Sequence, residues 1–393
     1  MSAAAGTSLR EMITAEIRAH GPIPFCRYME LCLYHPELGY YSRAEEKFGK
    51  AGDFYTSSDV HAVFGRLLCR QFDEMWRTLG SPSRIAVIEL GPGRGLFAQD
   101  VLAWAEKQFP DFFAALHYRL VESSPALRRR LEQLLAEPIA AGRASVTAEL
   151  QADPGLRTAI VFANEFFDAL PVEVLASEGR LMIDVEEKRT TKDTKEHKAR
   201  FVERFGPAPP ALLEWLDRYG VHPEERERVE AVPGYGAQVE RMAAALERGF
   251  AVVIDYGYTR EELLAGRHRG TVTSFRRHTV SDSPYEAPGE QDITAHVNFT
   301  ALAGLARESG LHAQPLLTQS QFLLGIGEAT QFADAFAGCR LPQEQAKVAL
   351  QLKHLVTPAG MGESFHVLVL ARGVEREKAA RLSGLSWGVS PLV

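Results

Sequence analysis

The stretch AVIELGPGRGLF, residues 86–97, sets Gly91, Gly93 and Gly95 at the end of an apolar run, with Glu89 two residues ahead of the first glycine. A glycine loop behind a strand lets backbone approach a ligand closely, and the usual ligand is a phosphate. Glu89 opposes that. Unit charges about 4 Å apart at an effective dielectric near 20 interact by roughly 4 kcal/mol before desolvation, so a phosphate is repelled and a cation held. The spacing also departs from the dinucleotide fingerprint, which wants GxGxxG and an acidic residue about 20 positions on. Here the glycines read GxGxG, and the next strand-ending acid, Glu122 in HYRLVESSP, follows about 30 positions after the loop begins. S-adenosylmethionine has an ammonium, a sulfonium and a carboxylate but no phosphate. Glu89 suits its cationic end, and Glu122 can accept both ribose hydroxyls. The plainer alternative is a tight strand-to-helix turn with no ligand; Glu122 and the repeated strand–helix alternation favour the donor. A nicotinamide dehydrogenase is disfavoured by the same spacing and charge.

A second constellation lies in IVFANEFFDALPVEV, where Asn164, Glu165 and Asp168 end an apolar run among Phe166, Phe167, Ala169 and Leu170. Ligands of doubly wound sheets sit outside the carboxyl ends of the strands, so these three groups should face the transferred methyl. An acidic, partly desolvated pocket suits a cationic acceptor such as a guanidinium, which carboxylates bind bidentately. Methyl transfer is an in-line displacement, and the protein's task is mainly positioning. Glu165 and Asp168 are therefore the catalytic candidates, although either could instead cap the next helix. AVVIDYGY, residues 251–258, brings Asp255 and Tyr256 to the same rim as substrate contacts, with core packing the alternative for Tyr256. In GDFYTSSD, residues 52–59, Thr56 and Ser57 could take the donor's carboxylate at a helix start, or merely cap it. GEQDITAHVNF, residues 289–299, offers Asp292 and His296, the latter a candidate base or a structural histidine.

These groups need a scaffold. Apolar runs at 84–90, 117–122, 144–147, 159–163 and 250–255 alternate with helical stretches, which indicates an α/β fold with a parallel sheet. Later strand candidates are 271–275, 312–318 and 364–371. Val60, Val63, Phe64, Leu67, Leu68, Phe72, Met75 and Trp76 make one face of a helix that starts at Ser57 or Ser58 and stops at Gly80-Ser81-Pro82. About 85 residues separate the fourth and fifth strands, far more than a crossover needs. RLMIDVEEKRTTKDTKEHKARFVERF reads there as a hairpin with a charged tip, and ALLEWLDRYG and AQVERMAAALERG as helices. The expected organisation is an N-terminal helical and loop region at 1–80 packing on a methyltransferase domain at 81–393, with insertions at about 172–249 and 258–310.

The bulk composition is that of a soluble globular protein, with 393 residues, 46% hydrophobic and 24% charged. A net charge of −7 argues against a general nucleic-acid binder, and no window reaches a membrane-spanning length. Cys26, Cys32, Cys69 and Cys339 are scattered, so neither a disulfide framework nor a metal site is expected. The first residues lack a secretory core and carry Glu11 and Glu16, which points to a first helix and a cytoplasmic chain.

GPIPFCRYMELCLYHPELGYYS, GDFYTSSDVHAVFG, IELGPGRG, VESSP, ANEFFDALPVE, IDYGY, DITAHVNF and TQSQFLLGIG together resemble the MidA-like methyltransferases, in that family's order, from about residue 21 to 327. Eukaryotic members include a mitochondrial arginine methyltransferase that assists respiratory complex I assembly. The resemblance implies a seven-stranded class I methyltransferase (Rossmann-like) sheet, doubly wound with its last strand antiparallel, and helical and hairpin insertions forming a cap. It puts Asp53, Thr56 and Ser57 beside the donor and Phe54 at the substrate channel. Asn164, Glu165 and Asp168 match the family's NEFFDALP segment, with Asn164 expected at the donor and Glu165 and Asp168 in the chemistry, and Asp292 and His296 match its DxTxHV motif. TSSD stands where the family commonly has TSPE, Arg66 where it has a glutamate, and TVTSFRRH, with Arg276, where it has a TLQAFR-like run.

The expected function is a protein arginine N-methyltransferase acting on a partner protein or assembly intermediate, because the long insertion suits a bulky acceptor and the acidic loop a guanidinium. A small-molecule O- or N-methyltransferase would instead need a general base, Asp168 or His296. A donor-binding assembly factor with little turnover would have no use for the rim of carboxylates.

Overall fold

The computed structural model describes residues 8–42, 62–151, 153, 155, 158–186, 199–276, 279–281 and 283–388. These residues form two compact units. One takes its residues from Met1–Glu45, Ala169–Gly234 and Thr259–His296, the other from Glu46–Asp168, Tyr235–Tyr258 and Val297–Val393.

The larger unit is built on a sheet ordered His312–Ala313, Phe365–Arg372, Arg248–Tyr258, Thr158–Asn164, Ile85–Leu90, Leu116–Val121 and Ala144–Thr147. The five strands from Arg248–Tyr258 to Ala144–Thr147 are parallel, and Phe365–Arg372 runs antiparallel to its neighbours. This is the expected seven-position sheet with its last strand reversed. The strand expected at 312–318 is in two pieces, His312–Ala313 and Leu317–Thr318, both on Phe365–Arg372. Pro315 lies between them and cannot donate to a ladder. Val297–Asn298 adds a short parallel partner to Arg248–Tyr258. Ile85–Leu90 is buried along its whole length, as a central strand covered on both faces must be. The chain leaves that strand towards Leu116–Val121 on one side and returns to Thr158–Asn164 on the other. The order reverses there, opening the crevice where such sheets bind ligands.

The helix Ala62–Thr78 belongs to this unit, although the sequence grouped it with the N-terminal region. It buries Val63, Phe64, Leu67, Leu68, Phe72, Met75 and Trp76 and ends before Gly80 at φ +84°. Phe72 meets the edge of Phe97, whose ring stacks on Phe162 at 4.4 Å, so helices Ala62–Thr78 and Leu96–Gln108 share one aromatic layer with the sheet. The expected N-caps, Ser57 and Ser58, lie outside the described residues.

The smaller unit is antiparallel. Ile23–Pro24, Glu173–Ala176, Gly179–Glu186, Arg200–Gly206 and Arg228–Ala231 form one sheet. Thr273–Arg276, read from sequence as 271–275, pairs instead in a three-stranded sheet with Thr279–Ser281 and Asp292–Thr294. The charged hairpin is there, with Arg180 opposite Gly206 and Glu186 opposite Arg200; its tip at 187–198 lies outside the described residues. The N-terminal helix Leu9–His20 opens with a Ser8–Glu11 capping box. Arg10 Nη2 donates to the carbonyls of Tyr285 and Glu286, each at 2.6 Å, which ties that helix to the second insertion.

Candidate functional site

Glu89 is the penultimate residue of Ile85–Leu90, and the glycine loop follows with Gly91, Gly93 and Gly95 at φ +60°, +51° and +76°. L-residues rarely adopt that region, so the loop demands glycine whatever the space around it. At Gly91 the space matters too, because a Cβ there would lie 3.0 Å from Cδ2 of Phe166. Glu89 is buried, and the fully buried Tyr118 hydroxyl donates to its Oε2 at 2.9 Å. Burial lifts the Glu89 carboxyl to about 8, and the Tyr118 bond opposes part of that rise. Sequence reasoning passed over Tyr118. The alternation of Leu116–Val121 could have found it, since residues 116, 118 and 120 turn inward.

Glu122 follows that same alternation just past the strand. It is buried, its Oε1 accepts the Ser124 amide at 2.7 Å, and burial lifts it to about 7 against that bond and Arg128. Ser124 then caps helix Pro125–Leu134 through Leu127. Two buried carboxylates thus flank the crevice, each costly when ionised.

Across the crevice, Asn164 at the end of Thr158–Asn164 and the next two residues, Glu165 and Phe166, are partly exposed. Asn164 Nδ2 donates to Glu165 Oε1 at 3.0 Å. Glu165 has φ +50°, a left-handed conformation costing an L-residue about 1–2 kcal/mol. Its amide still donates to the Ile254 carbonyl at 2.9 Å. Asp168 is buried, and the Tyr256 hydroxyl donates to its Oδ2 at 2.6 Å. Asp255, expected on the rim as a substrate contact, is wholly buried. Its Oδ2 accepts the amides of Phe166, Phe167 and Asp168 at 3.2, 3.0 and 3.3 Å, and its Oδ1 accepts the Tyr256 amide at 3.0 Å. Those bonds occupy the carboxylate, so Asp255 holds backbone rather than presenting itself to a ligand. Burial, then the charges of Asp168 and Glu165, raise its pKa well above the carboxylate range, while the amides oppose the rise.

Glu89, the glycine loop, Glu122, Asn164, Glu165, Asp168 and Tyr256 therefore belong to one unit and one end of its sheet. Asp292 and His296 belong to the smaller unit. Asp292 is buried and accepts the Tyr41 hydroxyl at 2.8 Å. His296 Nδ1 lies 3.2 Å from His268 Nδ1, and burial, then His268, lower its pKa to about 4. Asp53, Phe54, Thr56 and Ser57 lie outside the described residues. Among the described residues there is no cluster of three or more His, Cys, Asp or Glu placed to hold a metal, and no helix long and apolar enough to cross a membrane.

A switch-point crevice with a strained glycine loop and two buried acids, rather than a basic cradle, defines a class I methyltransferase site. The residues fit a methyl donor, because an uncompensated buried carboxylate such as Glu89 gains from an adjacent cation and loses to a phosphate. The model of an S-adenosyl-L-methionine-dependent methyltransferase family matches residues 67–317. The chain is 31% identical to the protein arginine methyltransferase NDUFAF7 homolog, mitochondrial, of Drosophila melanogaster, over 93% of this chain and 85% of that one. It is 27% identical to protein arginine methyltransferase NDUFAF7, mitochondrial, of Homo sapiens, over 93% and 83%. A Burkholderia thailandensis crystal structure bound to S-adenosyl-homocysteine superposes with a TM-score of 0.79 at 29% identity, covering 97% of this chain and 95% of that one. The chain belongs to the MidA-like family of S-adenosylmethionine-dependent methyltransferases. S-adenosylmethionine is its cofactor. The relatives are named mitochondrial, so they lend no support to a cytoplasmic location.

Proposed function

We propose that this enzyme is a protein arginine N-methyltransferase whose acceptor is a partner protein or an assembly intermediate. The observation that supports it best is Glu165: a partly exposed carboxylate held in a left-handed turn at the strand end, one residue from the Phe166 ring that covers Gly91. The donor supplies an electrophilic methyl on a sulfonium. Glu89 would face its cationic end, Glu122 its ribose hydroxyls, and Gly91, Gly93, Gly95 and Asn164 would complete that side. Glu165 would accept hydrogen bonds from a guanidinium and localise charge away from the attacking nitrogen. A nitrogen that gains a methyl must give up a proton, which Glu165 or Asp168 could take. Tyr256 would border the acceptor. For Asp53, Phe54, Thr56, Ser57, Asp292 and His296, roles in donor or acceptor binding rest on the family motifs alone. The names of the relatives support the arginine acceptor.

The test is methyl transfer from labelled donor to arginine-containing protein, read by mass spectrometry, with Glu165→Gln beside the unsubstituted chain. Methylarginine that disappears in the variant while donor binding persists supports the reading. Transfer only to small hydroxyl or amine compounds would move the assignment to a small-molecule methyltransferase, and donor binding with no transfer to an assembly factor. A cytoplasmic location stays a proposal, tested by fractionating cells that express the tagged chain.

A further inference from the structure

We propose that Asp255 is a positioning residue of this methyltransferase: its carboxylate holds the 164–168 loop, and so sets where Glu165 and the Phe166 ring stand over the glycine loop. Three successive amides, of Phe166, Phe167 and Asp168, converge on one oxygen of Asp255 at 3.0–3.3 Å, and the Tyr256 amide engages the other at 3.0 Å. Beyond Asn164 the parallel ladder has ended, because the last register pair is Ile254 with Asn164. The Glu165 amide makes one more bond to Ile254, and from Phe166 onward the acid takes over as anchor. Three amides directed at one oxygen form the concave arrangement that elsewhere binds phosphate. Here the accepting oxygen is supplied by the neighbouring strand, and the bend around it is the one that leaves Glu165 at φ +50°.

The consequence reaches the donor loop. Phe166 carries one of the three anchored amides, and its ring occupies the space that any side chain at Gly91 would need. The acceptor carboxylate and the wall of the donor loop are consecutive residues fixed by one remote acid. Asp255 is wholly buried and acts through this loop, so its effect should fall on the rate of transfer, through Glu165, more than on donor affinity. The loop's role towards an arginine acceptor rests on the reading above; the anchoring does not.

The experiment measures amide hydrogen exchange in the full chain and in Asp255→Asn, together with S-adenosylhomocysteine affinity. It adds single-turnover methyl transfer to an arginine peptide at saturating donor. In the unsubstituted chain the Phe166 and Phe167 amides should exchange at least ~100-fold more slowly than in an unstructured peptide, although Phe166 is partly exposed. In Asp255→Asn the amides of Phe166, Phe167 and Asp168 should exchange about ten-fold faster or more, as one accepting oxygen becomes an NH2 group that cannot accept. Exchange along Ile85–Leu90 should not change, and S-adenosylhomocysteine affinity should stay within about three-fold. The single-turnover rate of transfer should fall about ten-fold or more. Unchanged exchange at the three amides, or equal acceleration along Ile85–Leu90, overturns the proposal. If the variant does not fold, rapid exchange of Phe166 and Phe167 in the unsubstituted chain overturns it by itself. If the peptide is not methylated at all, the arginine reading fails while exchange and affinity still decide the role of Asp255.

Discussion

The two banks of the crevice use buried acids in opposite ways. On the donor bank, Glu89 has a single tyrosine hydroxyl and rises to about 8, whereas Glu122, met by Ser124, Ser123 and Arg128, rises only to about 7. On the acceptor bank, Asp255 is buried as deeply, and burial with the charges of Asp168 and Glu165 raises its pKa well above the carboxylate range too, but its oxygens are met by four amides. An acid with four donors is part of the scaffold. Glu89, with one hydroxyl, is the acid that still gains from a cation, and the glycine loop beside it indicates where that cation lies. The acceptor bank has its own partly exposed acid in Glu165, held at a cost in backbone strain that the anchored loop sustains.

The contrast is tested most severely by closing the donor bank. Gly93 sits at φ +51°, so Gly93→Val both strains the loop and fills the backbone approach. Donor affinity measured by calorimetry should fall ~100-fold or more, while thermal stability drops by only about 1–2 kcal/mol, the cost of a left-handed L-residue. Tight donor binding in that variant would mean the loop is only a turn. Next in size is Glu165→Gln. Removing a charge that acts mainly in the transition state should slow transfer about 100-fold and move donor affinity by less than about three-fold. Glu165→Gly sharpens this: it relieves the strain, so it should be as stable as the unsubstituted chain or more so, yet equally slow. A Glu165→Gly enzyme that kept its rate would show that the backbone turn, not the carboxylate, is what the acceptor needs.

A smaller effect comes from Glu89 itself. Raised from 4.5 to about 8 in the donor-free chain, it is largely protonated at pH 7, whereas a cationic ligand prefers the ionised form. Donor binding at pH 7 should release close to one proton, and apparent affinity should rise up to about ten-fold per pH unit until about pH 8. Calorimetry in buffers of different ionisation enthalpy reads that proton directly. Stability has the opposite sign: the folded chain holds the proton more tightly than the unfolded one, so stability falls as pH rises from about 4.5 to 8. Glu89→Gln should therefore raise the midpoint of thermal unfolding at pH 8–9 and abolish the proton release. If the variant releases the same proton, another group carries the linkage.

What the sequence disclosed follows from how local each feature is. Glycines 91, 93 and 95 with Glu89 are contiguous, so ligand class could be read from charge alone. Central strands such as Ile85–Leu90 are buried on both faces and show as apolar runs. Asp255 was placed correctly on its strand yet misread, because the amides it holds are 87–89 residues earlier in the chain. No pattern near Asp255 announces that its oxygens are already taken. The N-terminal region was misgrouped for a related reason. Ile23–Pro24 pairs with Met182 and Ile183, and Arg10 reaches Tyr285, so residues 8–42 are built into the unit made by the two insertions. Helix Ala62–Thr78, adjacent in sequence, packs in the other unit. Hydrophobic periodicity finds a helix but not which core it serves.

The smallest effect expected is at His296, and it bears on the reaction class. A hydroxyl acceptor would call for a neutral imidazole as base, and from the ordinary histidine pKa one would expect activity to fail below about pH 6. In the structure His296 titrates near 4, because burial and then His268 disfavour its charge. It is neutral across the physiological range, and its conjugate acid is some three units too strong for an efficient base near pH 7. His296→Ala should change the transfer rate by less than about three-fold between pH 6 and 8 and leave no inflection near 6.5. A guanidinium acceptor held by Glu165 predicts this indifference, since the proton leaves through a carboxylate or to solvent. An inflection near 6 that vanishes in His296→Ala would instead make the imidazole the working base, and the acidic loop would lose its claim to be where the acceptor is chosen.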